Sequence, residues 1–139
     1  MRHKDQRIAH LRSVGMFQTC SDKELQLIAR LAEQVDVPAG EVLVKEGRLG
    51  HEFYVVTAGK AEVIRDGRVV AVLGPGDCFG ELALLDPHPR TATVTMVEAG
   101  EVLEISQREF WSLLREVPAL PLKLLQGMAR RLHQEPVPA

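Results

Sequence analysis

The sequence predicts a mainly β fold with flanking helices. Three observations carry that prediction. Between Val35 and Ser106 turn residues recur about every eight positions, the punctuation of a sandwich or barrel made of short strands. The runs between them are rich in valine, which suits a pleated, buried surface. On either side of that span the apolar period becomes helical, with a capping box in each flank.

Residues from about Asp5 to Ala32 read as helical, within an N-terminal helical segment at 1–34. Ser21-Asp22-Lys23-Glu24 has the capping-box form, with Ser21 as N-cap. Leu25, Ile28, Ala29 and Ala32 then share one helical face, a stripe suited to packing and equally to relaying a movement. The β segment, 35–106, is divided by Pro38-Ala39-Gly40, Gly47, Ala58-Gly59, Asp66-Gly67, Gly74-Pro75-Gly76 and Ala99-Gly100. Asp66-Gly67, between KAEVIR and RVVAVL, predicts a hairpin with a type I′ turn. Ser106-Gln107-Arg108-Glu109 is a second capping box. It opens a helix with Phe110, Leu113, Leu114 and Val117 on one face, ended by Pro118. A last helix is expected over about 120–134. Its apolar residues, Leu122, Leu124, Leu125, Met128, Ala129 and Leu132, exceed what one packing stripe needs, and that excess points to a partner or a homodimer. Residues 134–139 read as a tail or the start of a linker. The expected organisation is a single domain: helical segment, β core, C-terminal helices at 107–134.

Length and composition narrow the function. A chain of 139 residues with 45% hydrophobic and 26% charged residues builds one ordinary globular core. A formal net charge of −2 gives no electrostatic reason to expect direct nucleic-acid binding. No apolar run is long enough for a membrane helix, and the charged start MRHKDQRIAHLR lacks a signal peptide's apolar stretch; the expected location is cytoplasmic. Cys20 and Cys78 stand far apart, and His3, His10, His51, His88 and His133 are scattered, so no metal spacing appears. His88 lies in a loop of the motif described next, where it could touch a ligand, though a solvated histidine is the ordinary reading. There is no nucleophile elbow, P-loop or dinucleotide fingerprint, and the chain is not expected to be an enzyme.

The most informative stretch is Phe79-Gly80-Glu81-Leu82-Ala83-Leu84-Leu85, followed by Pro89-Arg90-Thr91-Ala92-Thr93-Val94. It gathers a glycine, a carboxylate, the start of a helical turn and an arginine. Backbone N–H groups at such a turn bind anions, an arginine offers a forked donor set for phosphate, and Glu81 is an acceptor suited to a ribose hydroxyl. Together these suit a small ligand carrying a sugar and a phosphate.

This stretch resembles the phosphate-binding cassette (79–94) of the cyclic-nucleotide-binding domain family, as found in regulatory subunits of cAMP-dependent protein kinase, bacterial cyclic-nucleotide-gated channels and the sensor domain of the catabolite activator protein. VPAGEVLVKEG, FYVVTAGKAEV and VVAVLGPGDCFGE extend the resemblance upstream, and from about Val35 to the last helix it is continuous. It implies an eight-stranded jelly-roll β-barrel with N-terminal helices and two C-terminal helices. It also implies that Arg90 pairs with the exocyclic phosphate oxygens, that Glu81 accepts the ribose 2′-hydroxyl, and that Gly80, Leu82 and Ala83 present backbone N–H groups. Thr91 follows the arginine, where in the family a hydroxyl can contact the purine's amino group and favour cGMP; bacterial relatives often carry Ser or Thr there and still prefer cAMP, so cAMP ranks ahead of cGMP. Val70 and Leu73 are candidate base contacts. The C-terminal helix would supply a lid, with Met128, Arg131 and Leu132 as candidates. The ligand is expected to pull the cassette inward and shift the last two helices, with no cofactor and no metal. The expected partners are a cyclic nucleotide and a protein effector, separate or fused, such as a channel, kinase or acyltransferase. The alternatives are the sensor half of a longer transcription factor and a scaffold that has lost its ligand; the presence of Glu81 and Arg90 argues against the second.

Overall fold

The first capping box forms as the sequence predicts. The Ser21 N–H donates to Glu24 Oε1 at 2.7 Å, and the Glu24 N–H donates to Ser21 Oγ at 3.2 Å. Two orphan donors are thereby satisfied and α2 starts at Asp22. The computed structural model describes residues 2–134; of the tail expected at 134–139, Gln134 ends the last helix, and residues 135–139 and the Arg131 side chain lie outside the described residues. It contains α1 (Arg2–Arg12), a 3-10 turn (Gly15–Phe17), α2 (Asp22–Leu31), β1 (Glu33–Val37), β2 (Val42–Val44), β3 (Glu52–Arg65), β4 (Arg68–Leu73), β5 (Cys78–Phe79), a second 3-10 turn (Glu81–Leu84), β6 (Thr93–Ser106), α3 (Gln107–Glu116) and α4 (Leu120–Gln134). The N-terminal segment accordingly forms more than one helix: the chain turns through Gly15–Phe17 before the Ser21 cap starts a new one.

The chain divides into two compact units, one formed by its ends, up to Leu31 and from Trp111 onward, and one by Ala32–Phe110. In the unit of the ends, Leu11, Met16, Phe17, Leu25, Ile28, Leu120 and Leu124 are buried. Helix α4 packs on the first 3-10 turn through Gly127, whose missing side chain matters: a Cβ there would lie 2.6 Å from the Met16 carbonyl oxygen. Thr19 Oγ1 donates to the Lys123 carbonyl at 2.5 Å, Gln18 Nε2 to the Gly127 carbonyl at 3.2 Å, and Lys123 Nζ lies 3.5 Å from Glu24. Among the described residues of this unit, Leu122, Leu125 and Leu132 remain exposed. Among the described residues no helix is long and apolar enough to cross a membrane.

The other unit is an antiparallel sheet of order β1-β6-β3-β4, with β2 added to β6 and β5 to β3. The mainly β, jelly-roll-like class predicted from the sequence is the one the chain forms. Strand count and closure are where it differs: among the described residues the sheet has six strands and does not close into a barrel. The reason is that β3 and β6 each run for 14 residues and bend instead of breaking. Their pairing shifts register around Ala58 and Lys60, a bulged bend that adds twist. At the bend the backbones nearly touch. Gly59 has φ +85°, and a Cβ on Gly100 would overlap the Ala58 carbonyl. The predicted hairpin is present, with Arg65 paired to Arg68 across Asp66 (φ 52°) and Gly67 (φ 77°), the positive pair that a type I′ turn requires.

Alternation along the long strands sorts the core. Tyr54, Val56, Ala61, Val94, Met96 and Val102 form one buried cluster with Val37, while Phe53, Val55, Leu103 and Ile105 are buried on the alternate positions. Helix α3 starts from the end of β6 with the Glu109 N–H on Ser106 Oγ at 3.4 Å, the second predicted cap.

Ser21→Ala should lower stability by about 1 kcal/mol in urea unfolding at pH 7, the usual cost of losing an N-cap. The Ser21 N–H and, to a lesser extent, the Ser21 hydroxyl that the variant removes hold the Glu24 carboxyl below its ordinary 4.5. That contribution is present above the unfolded-state value and is lost as pH falls through the lower folded one. The gap between parent and variant should therefore narrow on acidification.

Candidate functional site

The site starts from two backbone devices. Strand β5 pairs Cys78 and Phe79 with Val55 and Tyr54, and the Phe79 ring stacks on Tyr54 at 5.0 Å and 18°. This fixes where the chain leaves the sheet. Gly80 then takes φ +84° and opens the Glu81–Leu84 turn, a left-handed conformation that glycine adopts without penalty. The Ala83 N–H closes the turn on the Gly80 carbonyl at 3.0 Å.

The second device holds the arginine. The segment before and after Pro89 is zipped to the 47–50 turn: the Arg90 N–H donates to the Arg48 carbonyl and the Gly47 N–H to the Arg90 carbonyl, both at 2.8 Å, and the Gly50 N–H reaches the His88 carbonyl at 3.2 Å. The Arg90 side chain, only 10% exposed, enters between Gly50 and Gly80. A Cβ on Gly50 would overlap Nε and Cζ of the guanidinium, and one on Gly80 would lie 2.6 Å from Nη1. Nη2 donates to the Glu52 carbonyl at 2.9 Å and lies 3.7 Å from the Glu52 carboxylate. A cation this enclosed needs such acceptors, because burying an uncompensated charge is costly.

Gly80, Glu81, Leu82, Ala83, Arg90 and Thr91 all line one cavity of about 270 Å³. That is near the lower end of ligand pockets, roughly 300–1,000 Å³. Val44, Val63 and Val94 supply an apolar wall. Arg90 also lines a larger groove of about 490 Å³ beside Lys45, Arg48 and Glu52. The groove lacks the glycine turn and Glu81, so the smaller cavity is where a carboxylate, a guanidinium and backbone donors converge.

Two of the other expected contacts do not line this cavity. Val70 is exposed on the edge strand β4, and Leu73 pairs with Ala61 and packs on the core cluster; neither lines the cavity. Met128, Arg131 and Leu132 are on α4, in the other unit, with Met128 half-buried and Leu132 exposed. Sequence reasoning missed Gly50, Glu52, Arg65 and the valine wall. Gly50 carries no turn signature, since its role is to make room for a side chain forty residues away. Val63 and Arg65 sit two apart on β3, a signal usable only once that strand is known to border the cassette. Among the described residues no group of three or more His, Cys, Asp or Glu side chains is placed to hold a metal.

Under the cavity, burial pushes the Tyr54 hydroxyl up, with the Glu104 and Glu52 carboxylates adding to the effect. Burial likewise raises the Glu104 carboxyl, and its hydrogen bond with Tyr54 only partly offsets this.

The sequence pattern of the cyclic nucleotide-binding domain matches residues 34–117. The chain is 30% identical over 129 residues to a CRP-like cAMP-activated global transcriptional regulator of Mycobacterium tuberculosis, covering 89% of this chain and 58% of that protein. Its fold matches the N-terminal domain of a transcriptional regulator from Streptomyces coelicolor A3(2), with TM-score 0.82, 34% identity and 91% of each chain covered. It also matches the regulatory domain of Toxoplasma gondii PKA, crystallised with cAMP, with TM-score 0.72, 36% identity, and 80% of this chain and 44% of that one covered. With its cassette seated in this sheet, the chain belongs to the cyclic nucleotide-binding domain family. It spans little more than half the length of the curated regulator it matches.

Two variants test the packing. Gly50→Ala should cost roughly 1–3 kcal/mol in thermal or urea unfolding, the scale of overpacking a filled space, whereas a neutral result would show that Arg90 can leave its slot freely. Glu104→Gln keeps a hydrogen-bond partner for Tyr54 and removes a charge that burial disfavours. A raised carboxyl stabilises the fold only when protonated, and that contribution is lost as pH rises through the folded value. Glu104→Gln should therefore raise the unfolding midpoint at pH 7, and the gain should disappear near pH 4.

Proposed function

We propose that this chain is a cyclic-nucleotide sensor module with no chemistry of its own. Arg90 takes the exocyclic phosphate oxygens, Glu81 accepts the ribose 2′-hydroxyl, and the Gly80, Leu82 and Ala83 N–H groups surround the phosphate. Because the Ala83 N–H already closes the turn, it serves the ligand as a shared donor. Thr91 stands at the base end, and cAMP ranks ahead of cGMP. The observation that carries the reading is the Arg90 guanidinium, seated between Gly50 and Gly80 at the wall of the cavity that also holds Glu81. A structural arginine would not need two side-chain-free neighbours and an open cavity beside it.

The module acts through a protein effector, separate or fused, with α3 and α4 as the relay and Met128, Arg131 and Leu132 as candidates for covering the base. The exposed leucines of α4 support a partner or a second copy there. A cytoplasmic setting fits Cys20 and Cys78, neither of which forms a disulfide among the described residues. The share of the M. tuberculosis regulator that the chain spans supports the reading that it is the sensor portion of a longer regulator.

Calorimetric titration with cAMP and with cGMP tests the reading, and micromolar or tighter binding of one is expected. Arg90→Ala should weaken binding by roughly 2–4 kcal/mol, the scale for removing one member of a buried charge pair. Glu81→Ala should cost less, about 1.5–3 kcal/mol for one charge-assisted bond. Undiminished binding by Arg90→Ala would remove the assignment. Equal hydrogen-exchange protection of α4 with and without nucleotide would remove the relay, since a ligand shifts only what it binds differentially.

A further inference from the structure

The valine wall of the cavity ends in a second cation. Val63 pairs with Val94, and Val94 with Val44, so the three side chains lie next to one another. Arg65 follows two residues after Val63 on β3, hence on the same face of the strand, and it lines the same cavity. Its Nε–H donates to the Thr91 carbonyl at 3.1 Å. Among the described residues no carboxylate forms an ion pair with it. With Nε committed to Thr91, the two terminal nitrogens are left for a guest.

A cyclic phosphate carries a single negative charge, and Arg90 already answers it. Arg65 is better matched to a different acceptor. The flat face of a purine suits the valine wall, which leaves the purine edge at the end of the wall, where Arg65 and Thr91 stand. A guanidinium donates only. Guanine offers two acceptors on its N7/O6 edge, whereas adenine pairs the N7 acceptor with an N6 donor that a guanidinium cannot satisfy.

We propose that Arg65 reads the purine edge of the bound nucleotide and favours guanine, narrowing the margin by which cAMP leads cGMP. The inference rests on the cyclic-nucleotide reading of the site. It adds a specificity residue that acts through direct contact, held in place by the Thr91 carbonyl.

The test is calorimetric titration of the full chain, Arg65→Ala and Arg65→Gln with cAMP and, separately, cGMP. Arg65→Ala should weaken cGMP about tenfold, within the range of one bidentate base contact, and change cAMP by less than about threefold. Arg65→Gln keeps a polar fork that both donates and accepts, the match for adenine, and should move the ratio further toward cAMP. Arg65 is exposed, and an unchanged circular dichroism spectrum would show that the variants fold. A parallel loss for both nucleotides would reduce Arg65 to a loop anchor and overturn the proposal. No change in either, or a larger loss for cAMP, would overturn it as well. Failure of the parent to bind either nucleotide would instead remove the sensor reading, and this proposal with it.

Discussion

The enclosure of one guanidinium organises the sheet unit around the cavity. Arg90 reaches the cavity because Gly50 and Gly80, thirty residues apart, both leave room for it. Its charge is tolerable there because the Glu52 carbonyl accepts a hydrogen bond and the Glu52 carboxylate lies nearby. Those requirements extend outward. Gly80 must be left-handed to start the turn that carries Glu81. The segment around Arg90 must lie along the 47–50 turn so that its backbone groups pair. Strand β3 must begin at Glu52 so that its first carbonyl faces the arginine. A cassette that looks like a short local motif is therefore held by chain segments from three separate parts of the sequence.

The sheet supplies the rigid side of the cavity. Its two 14-residue strands bend together where Gly59 and Gly100 let the backbones pass at close range. Before the bend, β3 is buried on both faces, at Phe53, Tyr54, Val55 and Val56; after it, β3 presents Val63 and Arg65 to the cavity. One strand thus serves as core at one end and as cavity wall at the other. The stack of Phe79 on Tyr54 connects the two roles, since it ties the exit of the cassette to the buried part of the sheet. Carboxylates near Tyr54 are held in partial burial, a local cost that the surrounding hydrophobic cluster offsets.

The chain ends form their own packed unit, cemented by the Ser21–Glu24 cap, the Lys123–Glu24 ion pair and the direct approach of Gly127 to the Met16 backbone. The ion pair is partly shielded, which makes it worth more than an exposed one but still modest. On α4, Leu122, Leu125 and Leu132 face outward.

Much of this protein was legible in order along the chain, because the signals are local. Capping boxes, the Asp66-Gly67 turn, strand alternation and the FGELALL and PRTATV runs depend on near neighbours and on backbone conformation, and they determined by themselves the mainly β class, the helices that flank it, and Glu81 and Arg90 as candidate site residues, which line one cavity. Only the tertiary structure decided that the sheet keeps six bent strands, that Val70 and Leu73 stay off the cavity while Val63 and Arg65 enter it, and that Gly50 and Glu52 belong to the site. Those outcomes depend on which strand borders which and on how closely two backbones approach. Such long-range relations leave no periodicity or spacing in the sequence for a reader to find.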